Sequence, residues 1–100
     1  MIERVFQADH PASRGHFPGN PVIPGAVLLN EALEAIEESL GTALVPLRIT
    51  SAKFLRPTRP GDRVLIEYSR NARGEIGFAC AVGGKQVLTG QICRAPSTAR

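Results

Sequence analysis

This 100-residue sequence predicts an α+β domain, one long helix wrapped by a curled antiparallel sheet. Three observations lead there. Only residues 24–40 carry apolar side chains at helical spacing. After Gly41 the apolar residues fall into short strand-like segments, punctuated by Pro, Gly and Asn. Finally, one helix and an antiparallel sheet must bury their apolar sides against each other.

Each element has its own warrant. Residues 2–7 alternate roughly, with Ile2 separated from Val5 and Phe6 by charges, and read as a first strand. Residues 9–23 are too rich in Pro and Gly for a strand or helix and read as a loop. In the helix, Leu29, Leu33, Ile36 and Leu40 fall on one face, and Asn30, Glu34, Glu37 and Glu38 on the polar side. Pro24 suits its first turn, and Gly41 suits its C-terminal cap. Residues 47–55 form a strand whose apolar phase moves from Leu47 and Ile49 to Ala52 and Phe54, which predicts a bulge or strong coiling. Residues 57–62 make a turn, and Val64, Ile66 and Tyr68 alternate in the next strand. Residues 71–74 read as a hairpin turn. Gly83 and Gly84 join strands 76–82 and 85–93. That last turn sets Cys80 near Val87 and Cys93 near Gly74, which keeps the two thiols apart. Residues 1–95 are expected to form one domain and 96–100 a flexible tail.

Composition narrows the class of protein. Hydrophobic residues make up 43% and charged residues 21%, as in an ordinary soluble domain. No apolar run approaches the roughly 18 residues that span a bilayer. The segment Met1-Ile2-Glu3-Arg4 lacks the pattern of a secretory signal, so a cytoplasmic protein is expected, with no membrane partner. Cys80 and Cys93 fit no metal motif and are expected to be reduced. The net charge is a mild +3, with Arg48, Lys53, Arg56, Arg59 and Arg63 clustered mid-chain. Such a cluster is either a surface for an acidic partner or a solvated strand face. Scarce aromatics and the lack of a binding motif argue against nucleic acid.

The chemistry concentrates in Gly15-His16-Phe17-Pro18-Gly19-Asn20-Pro21-Val22-Ile23-Pro24-Gly25, which holds one histidine in a stiff loop and delivers the chain into the helix. Histidine titrates near neutrality and can act as a general base. A helix N-terminus offers unpaired N–H groups and partial positive charge. Together they suit removal of a proton beside a carbonyl, with the Gly25 N–H holding the oxygen as enolate charge develops. A second group is needed for the leaving hydroxyl. The alternative is a purely structural histidine. His10, in Asp9-His10-Pro11, reads as a surface or loop-packing residue rather than a catalytic one.

The string from His16 to Gly25 closely resembles the active-site segment of the β-hydroxyacyl-acyl carrier protein dehydratases. A second stretch, Ala52-Lys53-Phe54-Leu55-Arg56-Pro57-Thr58-Arg59-Pro60-Gly61-Asp62, is similar to the same family, and the resemblance covers roughly residues 5–94. It implies the hotdog fold and a dimer with active sites at the interface, the histidine from one subunit and the acid from the helix of the other. His16 falls on the catalytic histidine and Gly25 on the carbonyl-binding glycine. The catalytic acid falls on Asn30, which cannot deliver a proton at neutral pH. Glu31 is adjacent but turned by about 100°. Glu34 lies one turn on, on the same side.

These expectations combine into one reading. The protein eliminates water from (3R)-3-hydroxyacyl thioesters on acyl carrier protein, giving trans-2-enoyl thioesters. His16 is the base, Gly25 the carbonyl donor, and Asn30, Glu31 or Glu34 handles the hydroxyl. Phe17 contacts the substrate, and Lys53 and Arg56 receive the acidic carrier or its phosphopantetheine phosphate. No metal or other cofactor is called for. A homodimer, or a heterodimer with another hotdog subunit, is expected. The rivals are a catalytically degenerate subunit or acyl-thioester-binding protein, which the residue at position 30 favours, and a thioesterase on the same fold.

Overall fold

The computed structural model of the chain describes residues 1–6, 22–44 and 47–94. Most of the loop expected over 9–23, with His10, His16 and Phe17, lies outside the described residues, as does the 96–100 tail. The elements run β1 (Ile2–Val5), α1 (Gly25–Leu40), β2 (Leu47–Phe54), β3 (Arg63–Arg70), β4 (Ile76–Val82) and β5 (Lys85–Arg94). All strand pairs are antiparallel, in the order β1-β3-β4-β5-β2, so α1 packs on a single five-stranded sheet.

Helix α1 starts one residue later than the sequence predicts. Pro24 is its N-cap, with φ −57° and ψ 143°. The proline ring fixes φ at a value that also suits an extended residue, so Pro24 ends the approach rather than opening the first turn. Its carbonyl accepts from the N–H groups of Val27 (3.0 Å) and Leu28 (3.1 Å). At the other end Gly41 adopts φ 75°, and its N–H donates to the Glu37 carbonyl at 2.9 Å. A residue with a Cβ resists that left-handed geometry, so glycine ends the helix here.

The buried face of α1 is Leu28, Ala32, Ala35 and Ile36. Of the expected stripe, only Ile36 lies in it; Leu29, Leu33 and Leu40 are half-buried at its edge. Ala32 and Ala35 are small enough to let the helix approach the sheet closely, and the bulkier leucines fill the flanks. The polar side is tied down as well. Glu38 pairs with Arg4 of β1. Ser39 Oγ and Tyr68 Oη of β3 share a hydrogen bond of 2.7 Å. Glu37 Oε2 accepts from the Leu44 N–H at 2.7 Å, fixing the chain as it leaves the helix.

Two register shifts shape the sheet. The phase change read in β2 is a shift against β5 between Ile49 and Ser51, where Thr50 Oγ1 donates to the Gln91 carbonyl at 3.0 Å. The second lies between Cys80 and Ala81. Val82 faces Lys85 and Ala81 faces Gln86, but Cys80 faces Leu88. An unbroken ladder from the Gly83-Gly84 turn would pair Cys80 with Val87, so the shift moves that expectation by one residue. Both thiols are free, and Cys93 shares a cleft with Gly74, away from the buried Cys80. At Gly90 a Cβ would stand 2.5 Å from Phe78 Cζ and 2.9 Å from the Ser51 carbonyl oxygen. Only glycine lets that ring cross the sheet there. No described helix is long and apolar enough to cross a membrane.

Candidate active site at the helix start

The approach to α1 is pinned to the segment after β2. The Ile23 N–H donates to the Thr58 carbonyl at 2.7 Å, an isolated bridge outside the sheet. Between the two segments lies a groove of about 480 Å³, lined chiefly by Gly25, Leu28, Phe54, Leu55, Arg56 and Thr58. Gly25 is the first helical residue. Its N–H and that of Ala26 have no hydrogen-bond partner among the described residues. The first turn carries no acidic side chain, so the positive end of the helix dipole is not neutralised from within the turn. A Cβ at position 25 would come 2.9 Å from Phe54 Cε1. Glycine there lets the half-exposed Phe54 ring lie against the start of the helix.

The groove offers backbone donors beside an apolar wall. That is an arrangement for a carbonyl oxygen at the end of an apolar ligand. Arg56 is at its edge, with Nη1 donating to the Gln86 carbonyl at 2.8 Å. Lys53 is exposed on β2 and does not line it. The wider basic cluster is a solvated surface, all five of its members being exposed, and Arg63 pairs with Glu3 at 3.4 Å.

The polar helix residues form a separate group. Asn30 Nδ2 donates to Glu34 Oε2 at 3.2 Å, and both side chains are exposed. Glu31 is half-buried and makes no hydrogen bond or ion pair among the described residues. At 100° per residue, Asn30 stands about 200° round the helix from Leu28, which lines the groove. One copy of the chain therefore brings Gly25 and Arg56 together, and Asn30 with Glu34, but does not bring the two groups to one cleft. Phe54 and Thr58 are groove residues that the sequence reading passed over. Both stand in the second motif, where the charges of Lys53 and Arg56 drew the assignment. A second cleft, of about 360 Å³, lies near Leu44, Arg70, Arg73 and Cys93 and holds none of the predicted residues.

Comparison with known proteins places the chain. The model of a family described as ApeI-like, ApeI dehydratase, matches residues 1–91. The chain belongs to the ApeI-like dehydratase family. A curated relative of this ApeI-like chain is the 3-hydroxyacyl-[acyl-carrier-protein] dehydratase FabZ of Chlamydia trachomatis, 36% identical over 100 aligned positions. The alignment covers 88% of this chain and 65% of that protein. The chain spans about half to two thirds of the length of the curated relatives it matches. Among solved structures, a chain of the dehydratase heterocomplex ApeI:P from Xenorhabdus doucetiae superposes with a TM-score of 0.72 at 20% identity, covering 93% of this chain and 85% of that one. A 1,4-dihydroxy-2-naphthoyl-CoA thioesterase from Synechocystis gives 0.63 at 16% identity, covering 95% and 86%. At such identities the likeness is one of fold, the hotdog arrangement of one helix on a curled antiparallel sheet.

Proposed function

We propose that this ApeI-like protein eliminates water from (3R)-3-hydroxyacyl thioesters carried on acyl carrier protein, giving trans-2-enoyl thioesters. The observation that carries the reading is the Gly25 N–H, unpaired among the described residues at the start of α1 and opening into a groove walled by Phe54 and Leu28. The thioester carbonyl accepts from that N–H. His16 removes a proton from the carbon beside the carbonyl, and the enolate charge that develops is stabilised by the helix end. The C3–O bond then breaks, and the departing hydroxide takes a proton to leave as water.

Glu34 is the proton donor in this scheme, and Asn30, hydrogen-bonded to it, orients it and the substrate hydroxyl. Because Asn30 and Glu34 face away from the groove of their own chain, the complete site joins the groove of one subunit to the helix of another. The long, exposed β2 edge is the surface on which a second hotdog subunit docks, a copy of this chain or a related one. Phe17 contacts the acyl group. Lys53 and Arg56 receive the phosphate of the carrier's prosthetic arm or its acidic surface. The reaction takes place in the cytoplasm. The name of the FabZ relative and the two-protein makeup of the ApeI:P complex support this reading.

The test is turnover of 3-hydroxyacyl and enoyl thioesters in both directions. His16→Ala lowers the rate about 10²–10⁴-fold, the usual contribution of a general base. Undiminished turnover in that variant overturns the mechanism. The amide at position 30 favours a second reading, a degenerate subunit that serves an active partner. Absence of turnover by the protein alone, with tight association to another hotdog chain, selects it. Hydrolysis of simple acyl thioesters selects the thioesterase.

A further inference from the structure

We infer that the Thr58 hydroxyl is a ligand contact of the helix-start groove, donating a hydrogen bond to an oxygen of the bound acyl thioester; the inference rests on the thioester reading above. Thr58 is 2% exposed, and its Oγ1 has no hydrogen-bond partner among the described residues. A buried hydroxyl without a partner carries the full penalty of leaving water. Valine has nearly the same shape and no such penalty, so packing alone gives no reason for the oxygen.

The position of Thr58 supplies one. Its carbonyl holds the Ile23 N–H at 2.7 Å, which ties Thr58 to the chain two residues before Gly25. Thr58 lines the same groove as Gly25. Around it stand Val22, Ile23, Leu28, Phe54 and Leu55, all apolar, and Arg56, which already donates to the Gln86 carbonyl. Among the described lining residues, Thr58 therefore provides the one uncommitted side-chain hydroxyl. The neighbouring donors without a partner among the described residues are the N–H groups of Gly25 and Ala26. The ligand these walls fit has an apolar body and an oxygen with lone pairs to spare. A thioester carbonyl has two, and a hydroxyl donor complements a backbone N–H. A rotation of about 120° in χ1 carries the threonine hydroxyl to another staggered position, so the residue can turn its donor to a ligand as the ligand enters.

Two measurements with opposite expected signs test this on the whole chain. The first is the melting temperature without ligand, at one fixed protein concentration. The second is the Kd for crotonyl-pantetheine by titration calorimetry, a probe that binds without needing a dehydration step. Thr58→Val is expected to melt at or above the wild-type temperature and to bind the probe about 2–10-fold more weakly, the worth of one hydrogen bond. Thr58→Ser, which keeps the hydroxyl, is expected to bind within about twofold of wild type. Unchanged probe affinity in Thr58→Val overturns the inference. So does a fall in its melting temperature, or failure of that variant to fold, because the hydroxyl would then have its partner inside the protein. Turnover of 3-hydroxyacyl thioester by the wild type, assayed alongside, separates the two claims. Wild-type turnover with unchanged Thr58→Val binding removes the inference and leaves the proposed function standing. A wild type that neither binds the probe nor turns over thioester removes both.

Discussion

Asn30 and Glu34 share a hydrogen bond across one turn of α1, and Glu31 stands apart from them. That geometry divides the acidic candidates by a measurable difference. In a dehydratase assay Glu34→Gln is expected to lose about 10²-fold or more, because in the proposed scheme it removes the carboxyl that protonates the leaving hydroxide. Glu31→Gln should change the rate less than about twofold, since a half-exposed carboxylate outside the pair contributes little. Asn30→Asp should raise the rate, by placing an acid where the resemblance to the β-hydroxyacyl-acyl carrier protein dehydratases implies one. A large loss in Glu31→Gln with no effect of Glu34→Gln would move the acid from Glu34 to Glu31 and reverse this assignment. The identity of position 30 was legible in the chain, and so was its neighbour one turn on. The hydroxyl of Thr58 was not, because nothing in a sequence distinguishes a threonine that packs as valine from one whose oxygen is left without a partner.

Strand β2 differs from the opposite edge of the sheet. The β1 edge is four residues long and carries Glu3 and Arg4. Strand β2 is eight residues long, is exposed along nearly its whole length, and presents Ile49 (42% exposed) and Phe54 (50%) beside the exposed Arg48 and Lys53. Both edges carry charges and exposed apolar side chains, Val5 on β1 among them, so length separates them: a very short edge discourages strand addition and a long one invites it. For the proposed dimer across β2, Ile49→Lys is therefore expected to weaken self-association about tenfold or more with little change in the fold. Sedimentation velocity over micromolar concentrations reads the change; an undiminished dimer would place the interface elsewhere. The strands, turns and helix ends were legible because Gly, Pro and alternating apolar residues act locally. The phase change in β2 was legible for the same reason. Two features were not. The inner helix face rests on Ala32 and Ala35, which hydropathy underrates beside Leu29 and Leu33 although close approach selects them. The slip that pairs Cys80 with Leu88 has no composition of its own, since no Gly or Pro marks Val87.

At the scale of the whole molecule, Cys80 lies in the middle of the sheet, facing Ile66 on β3 and Leu88 on β5, and is fully buried. Burial disfavours the thiolate and pushes the thiol from 9.0 up to about 11. The unfolded chain loses this proton first, so it binds fewer protons than the native state between those values. The thiol's contribution to stability is then complete below pH 9 and is lost as pH rises toward 11, with a slope of up to about 1.4 kcal/mol per pH unit. Urea melts across that range should show the decline in the wild type and a shallower one in Cys80→Ala. Equal slopes would mean that Cys80 does not set the alkaline limit. The strand order β1-β3-β4-β5-β2 has a kinetic side as well. The β3–β4 and β4–β5 pairs close over tight turns, while β1 reaches β3 and β2 reaches β5 only across long stretches of chain. Distant pairings must overcome more loop-closure entropy, so the central meander is expected to form first and the outer strands to zip on afterwards. Native-state hydrogen exchange should then find β1 and β2 opening at lower free energy than β4; uniform protection would contradict the order. Phe54 ends β2 and Thr58 follows it, so in this order the helix-start groove is among the last parts of the molecule to form. Under the proposed function an acyl ligand then engages only finished chains, and by mass action it stabilises the completed fold.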